Sequence, residues 1–259
     1  MATLKVVIVV GAAIGAFIIG NPKVVIGRTA KCFGDEMKGF KYTKENYVEL
    51  LLMMYQVFRL AKGKGMLALE AHVENPEESD IFAEFLDFNS DHHHVTFLCN
   101  YLRVISLSTE SPYELEALID EKLENHHHEQ HQVAGAVQAI ADALTALGIV
   151  AVVLGVIKTM GSIQEPPEVL GKLTGGALVG TFLGVFVEYG FCGPLATTLT
   201  AKYDADSQYF SCMKAGILAY LGGHAPAVCV EFAHKSLMSD VRPSFYEVEE
   251  AVDELPSVG

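Results

Sequence analysis

Leu173-Thr-Gly-Gly-Ala-Leu-Val-Gly-Thr-Phe-Leu-Gly184, with the apolar residues that carry it on to Thr200, decides the fold. Within it, Gly176, Gly180 and Gly184 form two consecutive G-x-x-x-G steps. Such steps put small residues on one helical face, where another helix can approach closely in lipid. In a water-soluble helix each interior glycine costs about 1 kcal/mol relative to alanine, so a run of them needs a packing reason. One further step, Gly11 with Gly15, lies in an earlier apolar run. Glu188 is the one interruption of the third run, a carboxylate among apolar neighbours.

Working outward, two more apolar stretches stand against a polar middle, Val6 to Gly20 and Ala143 to Ile157. Each is about 15 residues, short of the roughly 20 that a helix needs to cross the hydrocarbon core. Flanking residues make up the length. Lys5 can snorkel at the start of the first, and mildly polar residues extend the second at both ends. The expected spans are residues 1–20, 143–160 and 173–200. A fourth apolar run, Ala215 to Val230, is broken by Gly222, Gly223, His224 and Pro226 and reads as two short helices or a packed bend.

Composition agrees with a membrane protein. Of 259 residues 51% are hydrophobic, and the mean hydropathy is +0.30. A formal net charge of −14 argues against nucleic acid as a partner, because neutralising phosphates takes a basic face. The five cysteines, Cys32, Cys99, Cys192, Cys212 and Cys229, are odd in number and widely spaced, so neither a disulfide framework nor a zinc ribbon is supported. No convincing signal-peptide cleavage site follows the first run.

Charge sets the expected topology. Lys23, Arg28, Lys31, Lys38, Lys41 and Lys44 follow the first run, whereas the short connection 161–172 carries Glu165 and Glu168. By the positive-inside tendency, residues 21–142 form a cytoplasmic domain, 161–172 a periplasmic connection and 201–259 a cytoplasmic C-terminal segment. The first residue then starts on the outer side with no earlier helix to carry it there.

The cytoplasmic part is expected to be helical. Tyr47 to Leu60 is densely apolar, and Ile81, Phe82, Phe85 and Leu86 recur at helical spacing between Pro76 and Phe88. Ser111-Pro-Tyr-Glu114 and Ser244-Phe-Tyr-Glu247 are helix starts, with a capping serine and a glutamate three residues on. No alternation long enough for a sheet occurs, so the fold class is all-α: a polytopic membrane protein with a helical cytoplasmic domain.

Several strings, taken in order, resemble the MotA family of flagellar stator proteins. They include Gly15-Ala-Phe-Ile-Ile-Gly-Asn21, Glu74-Asn-Pro76, Tyr101-Leu-Arg103, Val179-Gly-Thr-Phe-Leu-Gly184, Pro194-Leu-Ala196 and Arg242-Pro-Ser-Phe245. The resemblance covers essentially the whole chain and starts at the family's second membrane helix. The expectation is therefore that the family's first transmembrane helix is lacking here, through truncation or a start placed too late.

What the resemblance implies is a stator subunit of the bacterial flagellar motor in the inner membrane. It would form a pentameric homo-oligomeric ring, embedded in membrane lipid, around a MotB dimer. Protons pass by a carboxylate of MotB, and cytoplasmic charges push on FliG of the rotor. No enzyme activity, no cofactor beyond the coupling proton and no metal are expected.

The resemblance also assigns residues. Thr181 lines the ion path, where a hydroxyl can meet a carboxylate or a transient water; the bland alternative is a bond back to its own helix. Val152 stands where sodium-driven relatives have a hydroxyl. Valine offers sodium no ligand, which favours protons. Pro194 couples ion flow to conformational change, or simply ends a helix. Thr145 departs from the family, which has proline there, and this puts a conformational switch in doubt. Lys62 and Glu70 match a basic and an acidic position facing FliG.

Glu188 is a candidate relay by its setting alone; the alternative reading is a carboxylate that approaches the cytoplasmic headgroups. His92, His93, His94, His126, His127, His128 and His131 could bind zinc or nickel, but consecutive histidines on a helix diverge, so solvated polar faces are expected. Two competing readings are an ExbB- or TolQ-like channel subunit energising the outer membrane, and a histidine-rich metal-binding membrane protein. Glu74-Asn-Pro76 and Arg242-Pro-Ser-Phe245 favour MotA over the first.

Overall fold

The structure, a computed structural model, describes residues 2–35, 42–107 and 111–256, without the side chains of 2–6 and 33–35. Lys38, Lys41 and the side chain of Lys5, which enter the charge and flank arguments above, lie outside the described residues. Every element among the described residues is helical. The chain divides into two compact units, Met1–Gly39 with His128–Tyr203, and Phe40–His127 with Asp204–Gly259.

The first unit holds α1 (Ala2–Gly20), α2 (Lys23–Asp35), the later part of α8 (Pro112–Gly161), α9 (Pro167–Val187) and the start of α10 (Gly193–Leu221). Helix α8 and the α9–α10 stretch Pro167–Leu221, 50 and 55 residues long, are long and apolar enough to cross a membrane. Their outer faces leave Ile149, Val153, Ile157, Leu178 and Phe182 exposed. A surface of that kind belongs in lipid, where helices bury backbone rather than apolar side chains.

Burial inside the unit falls on small residues and a few aliphatics. Val9, Ala13 and Leu144 form one cluster, and Ala134, Val137, Ala196 and Leu199 another. Asn21 Nδ2 donates to the Phe17 carbonyl at 2.8 Å and closes α1, and α2 starts after Pro22.

The run 173–200 is not one regular helix. Between α9 and α10 the chain makes a π-helical turn, Glu188–Cys192, in which the Gly193 N–H bonds to the Glu188 carbonyl. Pro194 accounts for it. Its nitrogen cannot donate to Gly190, and its ring would crowd that carbonyl, so the helix widens just before the proline.

The second unit is built around α3 (Lys44–Lys64), whose Leu50, Leu51, Met53, Met54, Val57 and Phe58 are fully buried. Against it pack α4 (Met66–Glu74), α5 (Asp80–Ala83), α6 (Leu86–Asn89), α11 (Pro226–Lys235) and α12 (Phe245–Asp253), while α7 (His92–Leu107) packs on α4 and α6. Phe58 stacks on Tyr220 with ring centroids 5.1 Å apart. A Cβ on Gly216 would meet Met54 Cε, so the later part of α10 lies close against α3.

Both capping motifs form as the sequence indicates. The Ser244 N–H donates to Glu247 Oε2 at 2.6 Å, and the Ser111 N–H to Glu114 Oε2 at 3.4 Å. The break in the Ala215–Val230 run falls between Leu221 and Pro226, which separates α10 from α11.

Residues 76–88, where apolar residues recur at helical spacing, are helical only in short pieces: a 3-10 turn (Pro76–Glu78) and two one-turn helices. Ser79 caps α5, and Phe85 then leaves helical geometry at φ −110°, ψ 81°. Ile81, Phe82 and Phe85 reach the core, but the turn throws Leu86 outward to 74% exposure.

Candidate functional site

The α8–α9 seam is where the glycine pattern takes effect. A Cβ on Gly184 would lie 2.6 Å from the Leu144 carbonyl oxygen, one on Gly148 would lie 3.0 Å from that of Gly180, and one on Gly180 would lie 3.2 Å from Ala151 Cβ. Only glycine lets the two backbones come this near. By contrast, a Cβ on Gly11 or Gly15 would meet nothing within 4 Å, so that step closes no packing contact among the described residues.

The seam gathers most of the residues that sequence and resemblance pick out. Thr181 Oγ1 donates to the Gly148 carbonyl at 3.1 Å. Its partner therefore lies across the seam on α8, not on its own helix. Thr145 Oγ1 donates to Glu188 Oε2, and Glu188 is buried. The residue that departs from the family pattern is thus tied to the odd carboxylate. Val152 stands one turn after Gly148 on the same helix and is half-buried. Pro194 is exposed at the start of α10, directly after the π turn, and its carbonyl accepts from Thr198 Oγ1 at 3.0 Å.

Lys62 and Glu70 are not at the seam but in the second unit, on α3 and α4, flanking Gly65, whose φ of +86° makes the turn. Both are exposed. Lys62 Nζ donates to the carbonyls of Gly223 (3.3 Å) and His224 (3.0 Å), so it also holds the α10–α11 bend. Among the described residues no cation comes within ion-pair distance of Glu70.

The histidines need a correction. His94 is 1% exposed, its Nε2 3.1 Å from the Tyr42 hydroxyl and 3.6 Å from Asp206 Oδ1, with its ring 4.4 Å from that of Tyr209. His126 Nε2 reaches Asp206 Oδ2 at 2.8 Å. Tyr42 also donates to Asp206, and burial, then Asp206, pushes its phenol far above the ordinary value. Two of the expected solvated histidines are thus parts of a hydrogen-bonded network. It escaped sequence reading because its members come from four segments distant in the chain.

All five cysteines are free, and burial pushes the Cys99 thiol up to about 12.

An all-helical membrane protein with a glycine-closed seam, a hydroxyl bridging it and a separate charged helical unit has the make-up of an ion-channel wall. The chain belongs to the MotA/TolQ/ExbB proton channel family, whose model matches residues 81–211, while that of the motility protein A N-terminal region matches residues 1–65. Its place there is with the motility protein A proteins, the flagellar stator subunits. It is 42% identical to motility protein A of Escherichia coli over 96% of this chain and 84% of that protein. With the chemotaxis protein LafT of Vibrio parahaemolyticus it shares 31% identity over 93% of this chain and 85% of the other.

Among solved structures, the fold is similar to that of C. jejuni MotAB (TM-score 0.73, 18% identity, covering 93% of this chain and 87% of that one). It is also similar to the flagellar MotAB stator complex of Bacillus subtilis (TM-score 0.72, 24% identity, 95% and 87%).

Proposed function

We propose that this stator subunit forms, with a MotB partner, a proton channel in the bacterial inner membrane, and converts proton flow into torque on the rotor protein FliG. The observation that carries the reading is the Thr181 hydroxyl held on the Gly148 carbonyl inside the glycine seam. The hydroxyl is fixed in place, yet its oxygen keeps acceptor capacity for a partner's carboxylic acid or a water.

In this reading the titrating carboxylate belongs to MotB, and this chain supplies the wall. Protonation of the partner's carboxylate changes what sits against Thr181. The α8–α9 pair responds through the π turn before Pro194, where one regular backbone bond is already missing. The helical domain, cytoplasmic in this topology, carries the movement to Lys62 and Glu70, which make and break a transient charged contact with FliG. A pentameric ring around two copies of MotB, multi-pass insertion and the absence of any enzymatic step belong to the same proposal.

Val152 offers no oxygen to a dehydrated sodium ion, which supports protons as the coupling ion. An ExbB- or TolQ-like role is not favoured, since the relatives of high identity are motility proteins. Burial of His94 in a hydrogen-bonded network weighs against a histidine-rich metal carrier.

Complementation tests the proposal. Expressed with its MotB partner in a strain lacking its own motility protein A, the chain should restore swimming, and a protonophore should stop it. A chain that inserts and assembles with MotB yet restores no rotation would overturn the reading.

A further inference from the structure

Glu188 is a carboxylate that the cycle above leaves without a task. It is 8% exposed within a stretch of membrane-crossing length, where an ionisable group is costly to keep. Seven residues, or about two helical turns, separate it from Thr181, so Thr181 on α9 and Glu188 at the start of the π turn both face α8. Gly184, between them, touches Leu144, the neighbour of Thr145. Thr181–Gly148, Gly184–Leu144 and Glu188–Thr145 therefore form successive rungs of one seam, with the carboxylate as the last.

The groups around Glu188 contain no fixed counter-charge. From α8, Thr145 donates to it. One turn earlier, Asp142 is exposed and occupied by Gln138 at 2.8 Å. Helix α1 brings Val9 and Ala13 to the adjoining cluster, and the π turn brings the half-buried Cys192 thiol. Among the described residues no lysine, arginine or histidine lies within ion-pair distance of Glu188. Its one partner is therefore a hydroxyl and not a cation. The backbone beneath it is also special, because Glu188 opens the π turn and its carbonyl accepts from Gly193 five residues on. Shifting that bond by one residue would reorient the side chain away from Thr145.

We propose that Glu188 is a proton-exchange carboxylate built into the wall of this channel, two turns beyond Thr181, with Thr145 as its positioning residue. The inference rests on the proton-channel reading. In the step, a hydronium that has passed Thr181 gives up one O–H bond and leaves as water, while the proton bonds to a Glu188 carboxylate oxygen. Loss of the same proton to a water at the other end of the seam restores the carboxylate and its bond from Thr145. No electrons are transferred. A wall-borne site gives this chain a waiting place for the proton in addition to the partner's carboxylate, and it explains why threonine stands at residue 145.

The test uses the whole stator, with MotB, in vesicles under an imposed pH gradient. Glu188→Gln keeps size and acceptor capacity but cannot exchange a proton. It should insert and assemble at wild-type levels while proton flux falls about tenfold or more. One component of the pH-dependent infrared absorption of protonated carboxyls should vanish with it, while the component from the partner's carboxylate remains. Thr145→Ala, which removes the hydroxyl bonded to Glu188, should displace the midpoint of the flux–pH profile, and Thr145→Ser should restore it.

If the glutamine chain fails to insert, Glu188→Asp carries the test: a displaced pH profile supports the assignment and an unchanged one overturns it. Wild-type flux and profile in Glu188→Gln overturn this inference alone. A wild-type stator that passes no protons overturns the channel reading, and this one with it.

Discussion

Gly184 of α9 packs on Leu144 of α8 so closely that a Cβ on it would sit 2.6 Å from the Leu144 carbonyl oxygen. Backbone atoms cannot give way as a flexible side chain can, so any larger residue must push the two helices apart. Gly184→Ala should destabilise the assembled protein by about 1–3 kcal/mol, the usual cost of overpacking. A lowered melting temperature of the purified stator complex would register it. Gly171→Ala, where a Cβ would meet nothing within 4 Å, is the matched control and should melt like the wild type.

Coupling-ion choice is open to a direct measurement. Swimming driven by the wild-type chain should follow the proton motive force and stay unchanged when sodium is withdrawn. Val152→Thr adds one hydroxyl near the seam, too few ligands to desolvate sodium alone, so proton coupling should persist in it. Wild-type speed that tracks sodium concentration would sink the proton assignment.

Glu70 stands exposed without an ion-pair partner among the described residues, whereas Lys62 already binds two carbonyls. Charge reversal at Glu70 should therefore impair rotation with little effect on stability. A compensating reversal on FliG should rescue it, and failure of every such pair would remove Glu70 from the rotor contact. Lys62→Glu should also loosen the α10–α11 bend, seen as faster amide exchange around Gly223.

The pH dependence of α12 docking has a definite sign. The Lys44 ammonium, 2.7 Å away, and then the Ser244 N–H lower the Glu247 carboxyl from 4.5 to about 2. A depressed folded value means that the stabilisation is fully present above about 4.5 and is lost as pH falls through about 2. An NMR titration should find the Glu247 midpoint near 2, and Lys44→Ala should raise it towards 4.5. Added salt should have the same direction of effect, because the pair is exposed.

Much of this was legible without coordinates. Ser244 and Glu247 lie three residues apart, so their mutual hydrogen bonds follow from local geometry alone. Pro194 announces a break in its helix because a missing N–H is a property of the residue. The spacing of Gly180 and Gly184 marks a face for close approach. In residues 76–88 the spacing left the helix length open, because it is shared by one long helix and by short turns that a cap at Ser79 divides. Glu188 and Thr145 were each singled out, yet not as a pair. They are 43 positions apart on different helices, and no periodicity connects them.

Periodicity and capping chemistry thus determined the helical class, the three apolar segments and the packing face of the third, since these depend on neighbours within a few residues. Which residue meets which across the seam depended on where α8 and α9 cross, and that was decided by the nearest approach their glycines allow. The same crossing put a hydroxyl on Glu188 and the Gly148 carbonyl under Thr181, and buried His94 among residues from distant segments was likewise a product of packing. Helical spacing sets the direction of a side chain, but only the packed tertiary structure supplies its partner.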